Sequence, residues 1–242
     1  MKPIFFILPA ISLSAILSTT LIAQQTHDST FFKQAVDHLL ENYKKEMGAN
    51  SLLYNGPEYV RNGRRATGFP FFESDDMLTG SINYNGVDYR NVEMHYDLVS
   101  DQVIVHEYNK ASISLVNEKI GYFSILDHHF LKLAQAASIT GLKPGFYELM
   151  YMGRTPLLAR REKKLIFPSN TEEEPKYTQY NFYYIKKGNN YFVVDSKNSL
   201  LDVLKDKKDL LKKYIKAEKL NFNKHFEDAL KKTIAYYDQV KS

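Results

Sequence analysis

The chain of 242 residues contains no cysteine. Disulfides and thiolate metal sites are thereby excluded, as is lipid anchoring through an N-terminal cysteine, so an apolar core must hold the molecule together. The sequence also has no G-x-S-x-G, no H-E-x-x-H and no G-x-x-x-x-G-K-[ST], the usual signatures of serine hydrolases, zinc proteases and P-loop NTPases. Charge of one sign is scarce: 32 Lys and Arg against 28 Asp and Glu leave a formal +4, too little over this length to call for nucleic acid. Glycine (11) and proline (8) form no linker-like run with serine, so residues 24–242 are expected to make a single domain.

What is present begins with an apolar leader. Lys2 gives a short positive start, Ile4 to Ile22 is almost uninterrupted apolar or small residues, and Ala23 closes it. This predicts a signal peptide over residues 1–23 that engages the secretion machinery and is cleaved. An uncleaved anchor is the alternative, weakened by Pro9, Ser12, Ser14 and Ser18 within the run. With 44% hydrophobic residues, the remainder has enough apolar side chain for a core.

The centre of the chain, from Gly68 to Leu133, reads as a ribbon of short strands. Ile82 and Tyr84, then Val87 and Tyr89, then Val92, Met94, Tyr96 and Leu98 alternate with polar residues, and a period of two puts them on one face. Asn85-Gly86 predicts a tight hairpin, because a type I′ turn needs positive φ at both central residues. Turns this close leave no room for crossover helices, so the strands are expected to be antiparallel and to lie side by side in chain order. A further hairpin is expected across Lys187 to Asn190. The predicted sheet spans residues 51–195.

Helical spacing appears at both ends. Phe32, Val36, Leu39, Leu40, Tyr43 and Met47 predict an amphipathic helix over 28–47, capped by Asp28 or Ser29 and ended by Gly48. Residues 196–242 predict two or three helices, with Ser199 and Asp202 as the capping box of the first. Lysines crowd this tail, including Lys212, Lys213, Lys216 and Lys219. A solvated helix face explains them, and so would contact with anionic head groups or a polyanionic cell-wall polymer. The fold class expected is therefore α+β: a large antiparallel, curved sheet, meander or half-barrel, with one N-terminal helix and two to three C-terminal helices.

Candidate site residues are few. Glu93, His95 and Asp97 fall on one face of one predicted strand, and a histidine between carboxylates is the most chemically capable group in the chain. Since no nucleophile motif accompanies them, they are assigned as ligand-binding rather than catalytic, with no metal and no cofactor. Adjacent His128 and His129 would point to opposite faces if they lie in a strand and could not then share one metal, a constraint that a turn at this point would relax.

LLYNGPEYV, GFPFFESDD, NYNGVDYRNVEMHYDLVSDQVIV and the tail SLLDVLKDKKDLLKKYIKAEKLNF together resemble an exported family of Gram-negative bacteria, periplasmic or outer-membrane-associated, with no assigned activity. The resemblance implies export and a shared architecture and transfers no site. Three functional expectations follow. The foremost is a non-catalytic envelope module that binds a protein, lipid or glycan through amphipathic surface supplied by 18 tyrosines and 15 phenylalanines. A half-barrel carrier of an apolar ligand and a hydrolase or metal-dependent enzyme are the alternatives.

Overall fold

The computed structural model describes residues 52–61, 66–106, 111–133, 142–169 and 173–240. The leader and the helix expected over 28–47 lie outside the described residues. Among the described residues ten strands form one open sheet: β1 (Leu78–Tyr84), β2 (Val87–Asp97), β3 (Gln102–His106), β4 (Ser112–Ser114), β5 (Ile120–Ile125), β6 (His128–Leu133), β7 (Gly145–Tyr151), β8 (Leu157–Ile166), β9 (Lys176–Lys187) and β10 (Asn190–Val193). Every pairing is antiparallel, in the order β10-β9-β8-β7-β6-β5-β1-β2-β3-β4. Three α-helices follow among the described residues: α1 (Lys197–Val203), α2 (Lys208–Ala217) and α3 (Phe226–Val240).

The β1–β2 hairpin turns as its sequence predicts, with φ of 53° at Asn85 and 78° at Gly86. Chain order fails as a guide at one place, where β5 pairs with β1 instead of β4. The outer edge of β4 is already taken: Tyr59 N–H donates to Ser112 O at 2.8 Å and Ser114 N–H to Pro57 O at 2.9 Å. A single 3-10 turn at Asn117–Lys119 then carries the chain back, and Asn85 N–H ties it down by donating to Lys119 O at 2.7 Å.

One face of the sheet carries two apolar clusters. Register places Ile82 opposite Phe123, Phe123 opposite Phe130, Phe130 opposite Glu148, Glu148 opposite Ala159 and Ala159 opposite Tyr183, all on the same side. The first cluster centres on Met94, Tyr96, Phe123, Phe130 and Phe146, with Tyr96 meeting the three phenylalanine rings edge-on at 5.1–5.8 Å. Tyr84, Val92, Met94 and Tyr96, the face expected to be buried, are all 4% exposed or less. Leu157, Ala159 and Ile185 form the second cluster with Leu200, Leu211, Leu230, Ile234 and Tyr237 of the helices. The helices lie here because each has one apolar stripe, as with Leu211 and Ile215 on α2, that finds cover only against this end of the sheet.

The capping box sits three residues earlier than its sequence pattern suggests. Ser196 is the N-cap of α1, its hydroxyl accepting from Ser199 N–H at 3.1 Å, while Ser199 Oγ accepts from the Ser196 N–H at 3.0 Å. Serine thus replaces the usual acidic partner at the third helical position.

Candidate functional site

Glu93, His95 and Asp97 share the face of β2 opposite the apolar clusters, as their spacing requires, but His95 and Asp97 are engaged elsewhere. Glu93 is exposed beside Thr79. His95 stacks on Phe71 with centroids 3.9 Å apart, and its Nε2–H donates to the carbonyl of Asp75 at 3.1 Å. Burial lowers its pKa, so the neutral ring prevails at neutral pH. Asp97 is 5% exposed, and both its oxygens are occupied: Tyr59 Oη–H donates to Oδ2 at 2.8 Å, and the amides of Val99 and Ser100 donate to Oδ1 at 2.7 and 3.2 Å. The aspartate therefore pins the β2–β3 turn to the 57–61 segment. No group of three His, Asp or Glu side chains suited to a metal exists among the described residues.

A second polar group lies on the inner face, between the two apolar clusters. Glu148 on β7 and Arg161 on β8 are 3% and 5% exposed. Arg161 Nε–H and Nη2–H donate to Glu148 Oε2 at 2.7 and 2.5 Å, and the guanidinium also grips Glu227 at the start of α3 through both nitrogens of its fork. Tyr183 Oη–H donates to Glu227 at 2.7 Å, and His128 Nδ1–H donates to Glu148 Oε1 at 2.7 Å. Burial pushes the Glu148 carboxyl up, but the His128 hydrogen bond and the Arg161 charge outweigh it and hold it below its ordinary value. The bond to Glu148 raises His128 above its ordinary value. Glu227 is likewise opposed by burial and held low by Arg161.

The signal for this network was a phase relation. Leu157 and Ala159 face the core, and a period of two carries Arg161 onto the same buried face, so an inward arginine demands a buried carboxylate partner. Glu148 supplies it only because β7 and β8 pair in the observed register. His128 and His129 do fall on opposite faces; the turn that precedes them is at Leu126-Asp127, with Leu126 at φ 53°. As a dyad, Glu148 and His128 could orient an imidazole for proton transfer, but the carboxylate is committed to Arg161 and no nucleophile motif accompanies it.

No family model, curated protein or solved structure matches this chain. Its own geometry must carry the functional reading.

A third feature is an open groove of about 960 Å³ at the helical end. Its walls are the first turn of α1, the side of α2 bearing Lys212, Ile215 and Lys216, and the segment from Lys219 to Phe222 that leads into α3. The floor is apolar yet mostly covered, with Leu201 2% and Ile215 3% exposed, while Leu220 and Phe222 are half-buried. Four lysines line it, Lys197, Lys212, Lys216 and Lys219, against one carboxylate, Asp195. Among the described residues only Lys212 of the four has an ion pair, an exposed one at 3.8 Å to Asp209. A smaller hollow of about 530 Å³ lies between the β2–β3 turn and β8, where Arg160 already pairs with Glu162 at 2.6 Å.

Proposed function

We propose that the chain is an exported, non-catalytic binding module of the cell envelope, periplasmic or associated with the outer membrane, that takes its ligand in the groove between α1, α2 and the Lys219–Phe222 segment. The observation that carries this reading is the groove itself: a concavity of ligand size, about 960 Å³, with an apolar floor and a lysine rim lacking close partners. The apolar leader read in the sequence supports the envelope setting. A binding role is favoured over catalysis because the buried Glu148–Arg161–Glu227 network spends its groups on one another.

In this reading the sheet is curved into a half-barrel. Lys163 N–H of β8 donates to Leu98 O just past β2 at 2.9 Å, although these strands are not neighbours in the sheet order. A carrier of apolar molecules would need the enclosed side open, and Tyr96, Phe123, Phe130 and Phe146 occupy it.

Nuclear magnetic resonance titration tests the site. Acidic and neutral oligosaccharides, an acidic peptide and lipid vesicles are added in turn to the labelled protein. At least one should shift resonances of Asn198, Lys216 and Phe222 while leaving Glu93 and His95 unmoved. Shifts at Glu93 and His95 alone, or none with any ligand, would refute the groove.

A further inference from the structure

Resting on that reading, we infer that the groove binds an acidic polysaccharide chain, a run of sugars bearing carboxylates. Three observations bear on the choice of ligand. The first is charge. Residues 195–224 hold nine lysines against five Asp and Glu, so this one segment accounts for the whole formal +4 of the chain. Two of its carboxylates are turned to pairs beside the groove, Asp202 to Lys208 at 2.7 Å and Asp206 to Lys187 at 2.7 Å, and Asp195 is the one that lines it. Lys212 and Lys216 stand one helical turn apart, about 6 Å along the axis, which suits a polymer with a negative charge on each unit.

The second observation is the kind of polar group between the lysines. Asn198, Asn221 and Asn223 line the groove. Asn221 Oδ1 accepts from the amides of Asn223 and Lys224 at 3.0 and 3.1 Å, which fixes that carboxamide and leaves its NH₂ to donate. Carboxamides read hydroxyl groups, and the half-buried Phe222 offers a ring for a sugar face. An amphipathic helix would need more open apolar floor than Leu201 and Ile215 provide, and an extended peptide would need a free strand edge, which helical walls lack. A membrane surface calls for protruding apolar residues, whereas this site is concave.

The third is Lys219. It ends α2 at φ 51°, with Leu220 N–H donating to Ile215 O at 3.0 Å and Lys219 N–H to Lys216 O at 3.3 Å. This is the helix-ending position that glycine fills without strain, and here a lysine stands in it, facing the groove. The lysine there puts a charge on the groove at a backbone position where glycine would relieve strain.

The experiment is isothermal titration calorimetry of the full chain with oligogalacturonate, with poly-L-glutamate and phosphatidylglycerol vesicles run in parallel. Oligogalacturonate should bind, more weakly as salt rises because exposed charge contacts are screened. Lys212→Glu with Lys216→Glu should weaken it about tenfold or more, whereas Lys213→Glu, an equal charge change per residue outside the groove, should leave it within about twofold. Lys219→Gly should weaken binding while raising Tm by about 2 °C, a combination that a purely structural lysine would not give. An equal loss with Lys213→Glu would reduce the effect to general electrostatics and overturn the assignment. Groove-dependent binding of polyglutamate or vesicles, without oligogalacturonate, would overturn the saccharide and leave the groove standing. No groove-dependent binding of any of the three would sink both.

Discussion

Arg161→Met is the sharpest perturbation of the fold. It removes the cation that separates Glu148 from Glu227 and leaves a carboxylate 3% exposed with only His128 as partner. Breaking a buried pair by deleting one member costs about 3–5 kcal/mol, since the survivor keeps its desolvation penalty and loses its compensation. For a domain of this size each kcal/mol moves Tm by about 2–4 °C, so the variant should melt about 6–20 °C below the parent at pH 7. The deficit should narrow at pH 4. There protonation relieves the unpaired Glu148 of the variant, while the parent has begun to lose what its depressed carboxylates contribute. Adding Glu148→Leu should recover most of the loss, because no buried charge then remains unpaired on the sheet. Scanning calorimetry at both pH values reads all of this. A single variant melting within 2 °C of the parent, or a deficit equal at pH 7 and pH 4, would show that the network is not the buried charge cluster it is taken for.

Other expectations are more local. The raised pKa of His128 means that its bond to Glu148 stabilises fully below about pH 6.5 and is lost as pH rises through the folded value. The lowered pKa values of Glu148 and Glu227 make the opposite limb: their contribution is present above about pH 4.3 and lost as pH falls through the folded values. Tm should therefore peak between these limbs, and His128→Gln should flatten the alkaline one in melts across pH 4–9. Ser196→Ala, which removes the α1 cap, should cost about 1 kcal/mol in urea unfolding; no change would deny the cap. Gly80→Ala would set its Cβ 2.0 Å from the carbonyl oxygen of Ser124 across the β1–β5 pair, so it should cost several kcal/mol or prevent folding, whereas a fully stable variant would contradict the strand register. Phe130→Ala, at the centre of the ring cluster, should cost about 3–5 kcal/mol by the same unfolding assay.

Local chemistry was legible in the sequence and long-range pairing was not. Asn85-Gly86 announced its hairpin because the turn's dihedrals belong to those two residues, and the face of β2 from Val92 to Tyr96 announced its burial through strict alternation. The tail divided into helices for the same kind of reason, with Leu211, Ile215, Leu230 and Ile234 in helical phase. By contrast, the return of β5 to β1 depends on Pro57 and Tyr59 occupying the edge of β4, a contact between segments far apart in the chain. The cap of α1 was misplaced because Ser196 and Ser199 differ only in which one leaves the helix. Glu93, His95 and Asp97 were correctly placed on a single face, but a pattern of period two says nothing of Tyr59 or Phe71, the partners that occupy Asp97 and His95. The Glu148–Arg161 pair was only half legible: the phase of Leu157 and Ala159 turns Arg161 inward, but Leu158 is as apolar and puts Arg160 in the same phase with it, and the partner Glu148 is fixed by the register of the neighbouring strand.

The position of β5 also fixes an order of events. As the chain emerges N-terminus first, the hairpins from β1 to β4 can zip together early, yet the far side of β1 keeps its bare amides and carbonyls until Ile120–Ile125 arrives. The two halves of the sheet are then sewn together through a strand that was made first and completed late. A nascent molecule halted before that point holds half a sheet with a sticky margin, and the seam along β1 is where a helper that shields unfinished strands would find its grip.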